Sequence, residues 1–130
     1  PSEFLFDVMS DVKNYSKFIP GCNSSQIISG SDEKFIAKLK LQYLVMSGEF
    51  ISEVYCDKKN LIIISTGIEG PFHSLINKWQ FKEDRDGSIV KLNISIDLEN
   101  KIFEKILKKN IDNILSKIVL SFEERIDLIY

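Results

Sequence analysis

The sequence predicts an α+β fold in which a curved antiparallel sheet is covered on one face by a single long carboxyl-terminal helix. Three observations lead there. Two segments alternate strictly: Phe35, Ala37, Leu39 and Leu41 interleave with Ile36, Lys38, Lys40 and Gln42, and Val90, Leu92, Ile94, Ile96 and Leu98 interleave with Lys91, Asn93, Ser95 and Asp97. That period of two marks strands with one buried face. The segment from Lys101 to about Leu128 instead carries Phe103, Ile106, Leu107, Ile111, Ile114, Leu115, Ile118, Val119, Phe122 and Ile126 at helical spacing, opposite Lys105, Lys108, Lys109, Asp112, Lys117 and Glu124. Such a stripe predicts the helix that covers the sheet.

The remaining elements follow in chain order. Phe4, Leu5, Val8, Met9 and Val12 predict a short amphipathic helix over Ser2 to Val12, with Glu3 in its first turn. Tyr15, Phe18 and Ile19 predict a second helical turn that stops at the breaker pair Pro20-Gly21. From Ser24 to Leu98, turn signals at Gly30-Ser31-Asp32, Met46-Ser47-Gly48, Asp57 to Asn60, Gly67 to Pro71 and Asp84 to Gly87 leave room for six strands. Gly67 to Pro71 is the longest of these connections and the best place for a functional loop. The chain of 130 residues is expected to form one domain spanning 1–130.

Composition narrows the function. A net charge of -2 gives no general attraction to phosphate backbones, so DNA binding is not expected. Cys22 and Cys56 are far apart and outside any ligand spacing, which argues against a disulfide framework or a zinc site and favours a reducing compartment. The longest apolar run, Leu61 to Ile64, is a strand's worth of residues and not a membrane span. His73 is the sole histidine, expected to be exposed in a turn, and no nucleophile and base set accompanies it. Glu49 and Glu53 share one side of a strand, but alternation puts them on the solvent face. No catalytic or metal-ligating residue is therefore expected. Trp79, the only tryptophan, follows the rigid Gly70-Pro71 turn on an inward strand face, where its N–H needs a partner or a ligand. Lys101, Lys105, Lys108 and Lys109 concentrate positive charge at the start of the long helix, as either a solvated face or a contact for anionic headgroups or RNA.

Several motifs sharpen this reading. Leu5-Phe6-Asp7-Val8, Asp11-Val12, Tyr15 and Phe18-Ile19-Pro20-Gly21-Cys22 at the amino end, Gly70-Pro71-Phe72, Leu75, Trp79 and Phe81 in the middle, and Phe122-Glu123-Glu124-Arg125 followed by Tyr130 resemble the coenzyme Q-binding START-like family. That family also includes the bacterial ribosome-association toxin RatA. The resemblance spans essentially the whole chain and implies the START-like helix-grip fold, with its first strand apparently trimmed before Pro1. Gly21 stands where many members carry an aromatic residue, which bears on the shape of the cavity mouth.

The resemblance implies two non-enzymatic roles. The first is carriage of ubiquinone, as bound ligand rather than cofactor, or of a similar isoprenoid lipid, supporting respiratory electron transport. The second is binding the large ribosomal subunit and blocking subunit association. It implies peripheral contact with a membrane, in the bacterial cytoplasm at the inner membrane or on the matrix side of the mitochondrial inner membrane. The expected ligand-binding residues are Phe18, Leu39, Phe72, Leu75, Asn77, Trp79 and Phe81, with Ile106 and Leu107 as the opposite wall. For each apolar member the alternative is ordinary core. Phe72 and Leu75 form either a gate or a plug for the sheet's open end. Phe18, Ile19 and Pro20 form either the facing jaw or a helix pair docked on the sheet rim, and Met46 lies near the entrance. Asn77, one pleat from Trp79, is either a partner for a quinone carbonyl or an exposed strand-end amide.

Overall fold

The computed structural model describes residues 2–43, 46–85 and 87–129, with the side chains of Tyr43, Met46 and Asp84 outside the described set. Helix α1 (Ser2–Ser10) is followed by a 3-10 helix (Val12–Lys17) and by strands β1 (Cys22–Gly30), β2 (Lys34–Tyr43), β3 (Met46–Asp57), β4 (Ile62–Glu69), β5 (Phe72–Asp84) and β6 (Gly87–Leu98). Helices α2 (Lys101–Lys109) and α3 (Ile111–Ile129) close the chain. The six strands pair only with their sequence neighbours, all antiparallel, leaving β1 and β6 as edges. Register shifts in the pairing of β1 with β2, β3 with β4 and β5 with β6 interrupt the ladders. Such bulges bend strands and add twist, which is how a meander of this length curves around its helices.

Alternation holds along β2 as the sequence implies, whereas in β6 it breaks at Ile94, which is 40% exposed beside Asn93 and Ser95. Phe35 and Ala37 are buried and Leu39 and Leu41 half-buried, while Glu49 and Glu53 face solvent and pair with Lys38 at 3.0 Å and Lys34 at 3.5 Å. Three expectations need correction. Met46, Ser47 and Gly48 are not a turn: they extend β3, opposite Tyr43, Gln42 and Leu41. The Gly67 to Pro71 connection is not long either. β4 runs to Glu69 and β5 starts at Phe72, so only Gly70 and Pro71 join them. Gly67 lies within β4, and the Phe72 ring is so close that a Cβ there would come within 2.5 Å of it.

The third correction concerns the long helix, which is two helices broken at Asn110. The Asn110 N–H reaches the carbonyls of Ile106 and Leu107 at 3.3 and 3.2 Å, and its side-chain amide donates to the Ile106 carbonyl at 2.8 Å. Its own carbonyl accepts from Ile114 N–H at 3.0 Å, beginning α3. Asparagine competes for backbone partners in this way, and periodicity alone does not register it. At the other end of α2, Asn100 caps the helix by accepting from Phe103 N–H at 3.0 Å, while Glu104 reaches back to Leu98 N–H at 2.8 Å.

The dense core lies toward one end of the sheet. Phe6, Val8, Met9 and Val12 from the amino-terminal helices pack with Phe35, Ala37, Val54, Cys56, Ile63 and Phe81 of the sheet and with Phe122 of α3. Phe6 meets Phe81 edge-on at 6.0 Å, and Tyr15 and Phe18 meet Phe122 edge-on at 5.6 and 5.4 Å. The Tyr15 hydroxyl donates to the Met9 carbonyl, so the one polar tip in this aromatic group is satisfied. Among the described residues no buried side-chain polar atom lacks a partner.

Candidate ligand cavity

The other end of the sheet is hollow. A cavity of about 260 Å³ lies between the ends of β2 and β3 and the helix pair α2 and α3. Strand register assembles its floor, since Leu41 sits opposite Gly48 and Gln42 opposite Ser47, with Phe50 two residues farther along β3. Phe103 and Leu107 of α2, Ile114 and Ile118 of α3, and Leu98 at the end of β6 form the facing wall. Phe103 and Leu107 stand four apart on one helix face, which aims both at the sheet. Pro20, Gly21, Gln42, Ser47, Pro71 and Asn100 are lining residues that remain exposed, so they mark the mouth. Gly21 answers the question its sequence context raised: at φ 81 its carbonyl accepts from Gln42 N–H at 2.7 Å, and a Cβ would fall 2.5 Å from the Gln42 carbonyl oxygen. Only glycine fits that corner of the mouth.

Among the described residues no ionisable side chain lines this cavity, and its polar members are the side chains of Gln42, Ser47 and Asn100. It therefore holds apolar matter by exclusion of water, with neutral hydrogen-bonding groups confined to the rim. A second hollow along Asp112, Leu115, Ser116, Val119, Leu120 and Glu123 is lined by α3 alone. One helix cannot enclose a ligand.

Of the nine residues expected to bind ligand, the structure brings Leu107 into the cavity wall. Phe72 stands one layer behind, its ring stacked on Phe50 at 5.9 Å and an interplanar angle of 12°. Leu75 lies beside Gly67, next to that ring. Phe81 is core, and Phe18, Leu39 and Trp79 pack against the core. Phe18 also carries the Arg125 guanidinium over its ring at 5.5 Å. Trp79 finds its partner within the protein: its indole N–H donates to Asn77 Oδ1 at 3.2 Å. Asn77 is thus a half-buried mid-strand residue rather than an exposed strand end, opposite Ile94 of β6. Ile106 is turned away from the cavity and is 39% exposed. Of the suggested jaw, Ile19 and Pro20 do line the cavity, whereas the Met46 side chain lies outside the described residues. Phe50, Leu98, Phe103 and Ile118 went unassigned, although the spacing of Phe103, Leu107, Ile114 and Ile118 along one helical face is a signal that points to them.

The ionisable groups of interest lie elsewhere. Burial pushes the Cys56 thiol up to about 11 and carries the Tyr15 phenol well above its ordinary range, both at the dense end, and it raises Cys22, which pairs opposite Leu41 beside the cavity. Asp97 is held below its ordinary value chiefly by the hydrogen bond from Lys101, whose ammonium is raised by the same contact. His73 is exposed, and among the described residues no group of histidine, cysteine and carboxylate side chains is placed to hold a metal. No helix among the described residues is long and apolar enough to cross a membrane.

The family model described as polyketide cyclase / dehydrase and lipid transport matches residues 1–123. The chain belongs to this family. Its sequence is 31% identical over 124 residues to the ribosome association toxin RatA of Rickettsia prowazekii, covering 93% of this chain and 85% of that protein. It is 27% identical over 135 residues to the mitochondrial coenzyme Q-binding protein of Dictyostelium discoideum, covering 100% of this chain and 65% of that protein. A START superfamily protein from Mycobacterium smegmatis superimposes with a TM-score of 0.81 at 16% identity, covering 99% of this chain and 91% of that one. The family's fold, the helix grip, is thus the fold of this chain. The two curated relatives are named as a toxin and a binding protein, while the family's own description extends to cyclases and dehydrases.

Proposed function

We propose that this chain binds an apolar, ring-bearing lipid, ubiquinone or a similar isoprenoid, in the cavity beneath α2 and carries it without chemical change. One observation carries the reading: a cavity of about 260 Å³ whose wall is apolar and whose lining, among the described residues, holds no ionisable group. Acid–base chemistry needs a titratable side chain within reach of the substrate, and the described lining residues supply none. The coenzyme Q-binding relative supports the choice of ligand class. Size adds a constraint. Pockets that enclose a whole drug-sized ligand run from about 300 to 1,000 Å³, so this one takes a ring and the first part of a tail, with the rest leaving through the mouth at Pro20 and Pro71.

The test is mass spectrometry of organic extracts from protein purified gently from a quinone-producing host, with Leu107→Trp and Trp79→Lys alongside. Leu107→Trp fills the cavity with the side chain itself; it is expected to stay folded and to lose the quinone found in the wild type. Trp79→Lys places a charge beside the core, and loss of quinone there together with loss of the fold would mark Trp79 as structural. Wild-type protein free of quinone, or folded Leu107→Trp with undiminished quinone, sinks the proposal.

A second reading is association with the large ribosomal subunit, supported by the 31% identical relative named as a ribosome association toxin. It needs only an outer surface. Cosedimentation with purified large subunits, unaffected by Leu107→Trp, is its expected signature.

A further inference from the structure

We propose that the outer face of α2 is a membrane-docking surface that seats this protein on an anionic lipid bilayer with the cavity mouth facing the headgroups. The argument starts from what α2 exposes. No residue of this helix is buried, and Ile102 leaves 76% of its surface and Ile106 39% to solvent. At about 100° per residue, Phe103 and Leu107 face the cavity while Lys105 points away from it, flanked by Lys101, Lys109 and Ile102, with Ile106 at the edge of that outer face. Isoleucine at such exposure gains nothing in water or on a polar RNA surface; it gains by entering acyl chains, while flanking lysines extend their ammonium groups to phosphates.

Charge distribution agrees. The acidic groups around α2 are Asp97, Glu99, Glu104 and Asp112. Asp97 is bound to Lys101, and Glu104 is turned in toward the Leu98 N–H with Lys101 at 3.7 Å and Lys108 at 3.9 Å. Glu99 and Asp112 are exposed beyond the two ends of the helix, so its outer face carries Lys105 at the middle and Lys109 at the C-terminus, with no acidic residue of α2 on that face. A basic face punctuated by isoleucine fits an anionic bilayer, where charge draws the helix in and apolar insertion holds it. The position of this face gives it a use. Its inner side is the cavity wall, its N-terminus adjoins the β4–β5 turn through a bond from Glu99 N–H to the Pro71 carbonyl at 3.3 Å, and its C-terminus is the break at Asn110. Seating α2 on a bilayer therefore sets Pro71 and the mouth beside the lipid from which an apolar ligand would come.

The purpose of this surface rests on the carrier reading, but its test does not, since vesicle binding is measured whether or not the cavity is filled. The experiment is cosedimentation with sonicated vesicles of phosphatidylcholine alone and of phosphatidylcholine mixed with phosphatidylglycerol, for the wild type, Ile102→Ser and Lys105→Glu/Lys109→Glu. These exposed positions lie outside the cavity lining, and unchanged thermal melting checks that the variants fold. The wild type is expected to bind the mixed vesicles and not phosphatidylcholine alone, Lys105→Glu/Lys109→Glu to bind roughly tenfold less or worse, and Ile102→Ser to lose binding at high salt, where insertion has to replace screened charge. Absence of wild-type binding to the mixed vesicles, or Ile102→Ser binding like the wild type, overturns the proposal. So does binding to large ribosomal subunits that depends on the two lysines while vesicles are ignored. Quinone in the extracts with no vesicle binding would sink this surface and leave the cavity reading standing; the reverse result would do the opposite.

Discussion

At one end of the sheet Phe122 is 2% exposed, wedged edge-on against Tyr15 and Phe18, while Phe6, Ala37 and Phe81 close around it. At the other end Phe103 and Leu107, apolar residues on the same carboxyl-terminal stripe, stay half-exposed around a cavity of about 260 Å³. The same strands serve both ends: β2 gives Phe35 and Ala37 to the core and Leu41 to the cavity, and β3 gives Val54 and Cys56 to the core and Phe50 to the cavity. The difference is what covers them. Three helical segments pack closely at the dense end, whereas at the open end α2 and the first turns of α3 stand off the sheet across the cavity, with α2 held by the Asn100 cap, Glu104 and the Asp97–Lys101 pair. Stability is thus concentrated at one end, and the end available to a ligand is the one that can open at low cost.

That contrast can be broken by substitution. Phe122→Ala removes a ring from the densest packing in the molecule and is expected to cost about 3–5 kcal/mol in a urea titration. Leu107→Ala removes a side chain that already faces a void and is expected to cost only about 1 kcal/mol. Equal costs for the two would mean that the ends are packed alike, and the distinction drawn above would fail.

Titration sharpens the same comparison. Cys56 and Tyr15 lie at the dense end and both have raised folded values, so each folded group keeps its proton when the unfolded chain has lost it. For Cys56 the stabilisation is whole below its ordinary value of 9.0 and falls away as the pH climbs to about 11. Stability measured by urea unfolding should therefore drop through that window, and Cys56→Ala should make the drop shallower. Both thiols should also resist a thiol reagent until the protein unfolds, because Cys22 and Cys56 are buried.

The smallest effect belongs to the open end. Asp97 is lowered by Lys101, so its contribution is present above the ordinary carboxylate value of 3.8 and is lost as the pH falls through the lowered one. Asp97→Asn is expected to leave global unfolding almost unchanged, as exposed pairs do, while speeding hydrogen exchange of α2 amides at fixed pH. Slower exchange, or a large global loss, would place the Asp97 contact in the core of the fold's stability and not at a local tether.

Much of this molecule was legible before any coordinates. Strand faces, the two amino-terminal helical segments and the solvent-facing glutamates follow from a period of two or of 3.6, which is a local property of the chain. Trp79 illustrates where that ends. Its inward direction was legible and so was its need for a hydrogen-bond partner, but the choice between Asn77 and a ligand depends on distances across one pleat. Ile106 and Leu107 show the same limit from the helix side: adjacent residues of one apolar stripe, they part at a rotation that sends one to solvent and the other to the cavity.

The α+β class, the order of the elements, most inward strand faces and the family to which the chain belongs are legible along the chain, because each rests on repeating patterns or motifs. Where apolar residues meet one another and where they meet empty space emerges on folding alone. That outcome depends on the separation of sheet and helices, which is set by the bulges in the ladders, the break at Asn110 and the two-residue turn at Gly70-Pro71. These are small local departures from regularity, and their effect on layer spacing exists only once distant segments are brought together.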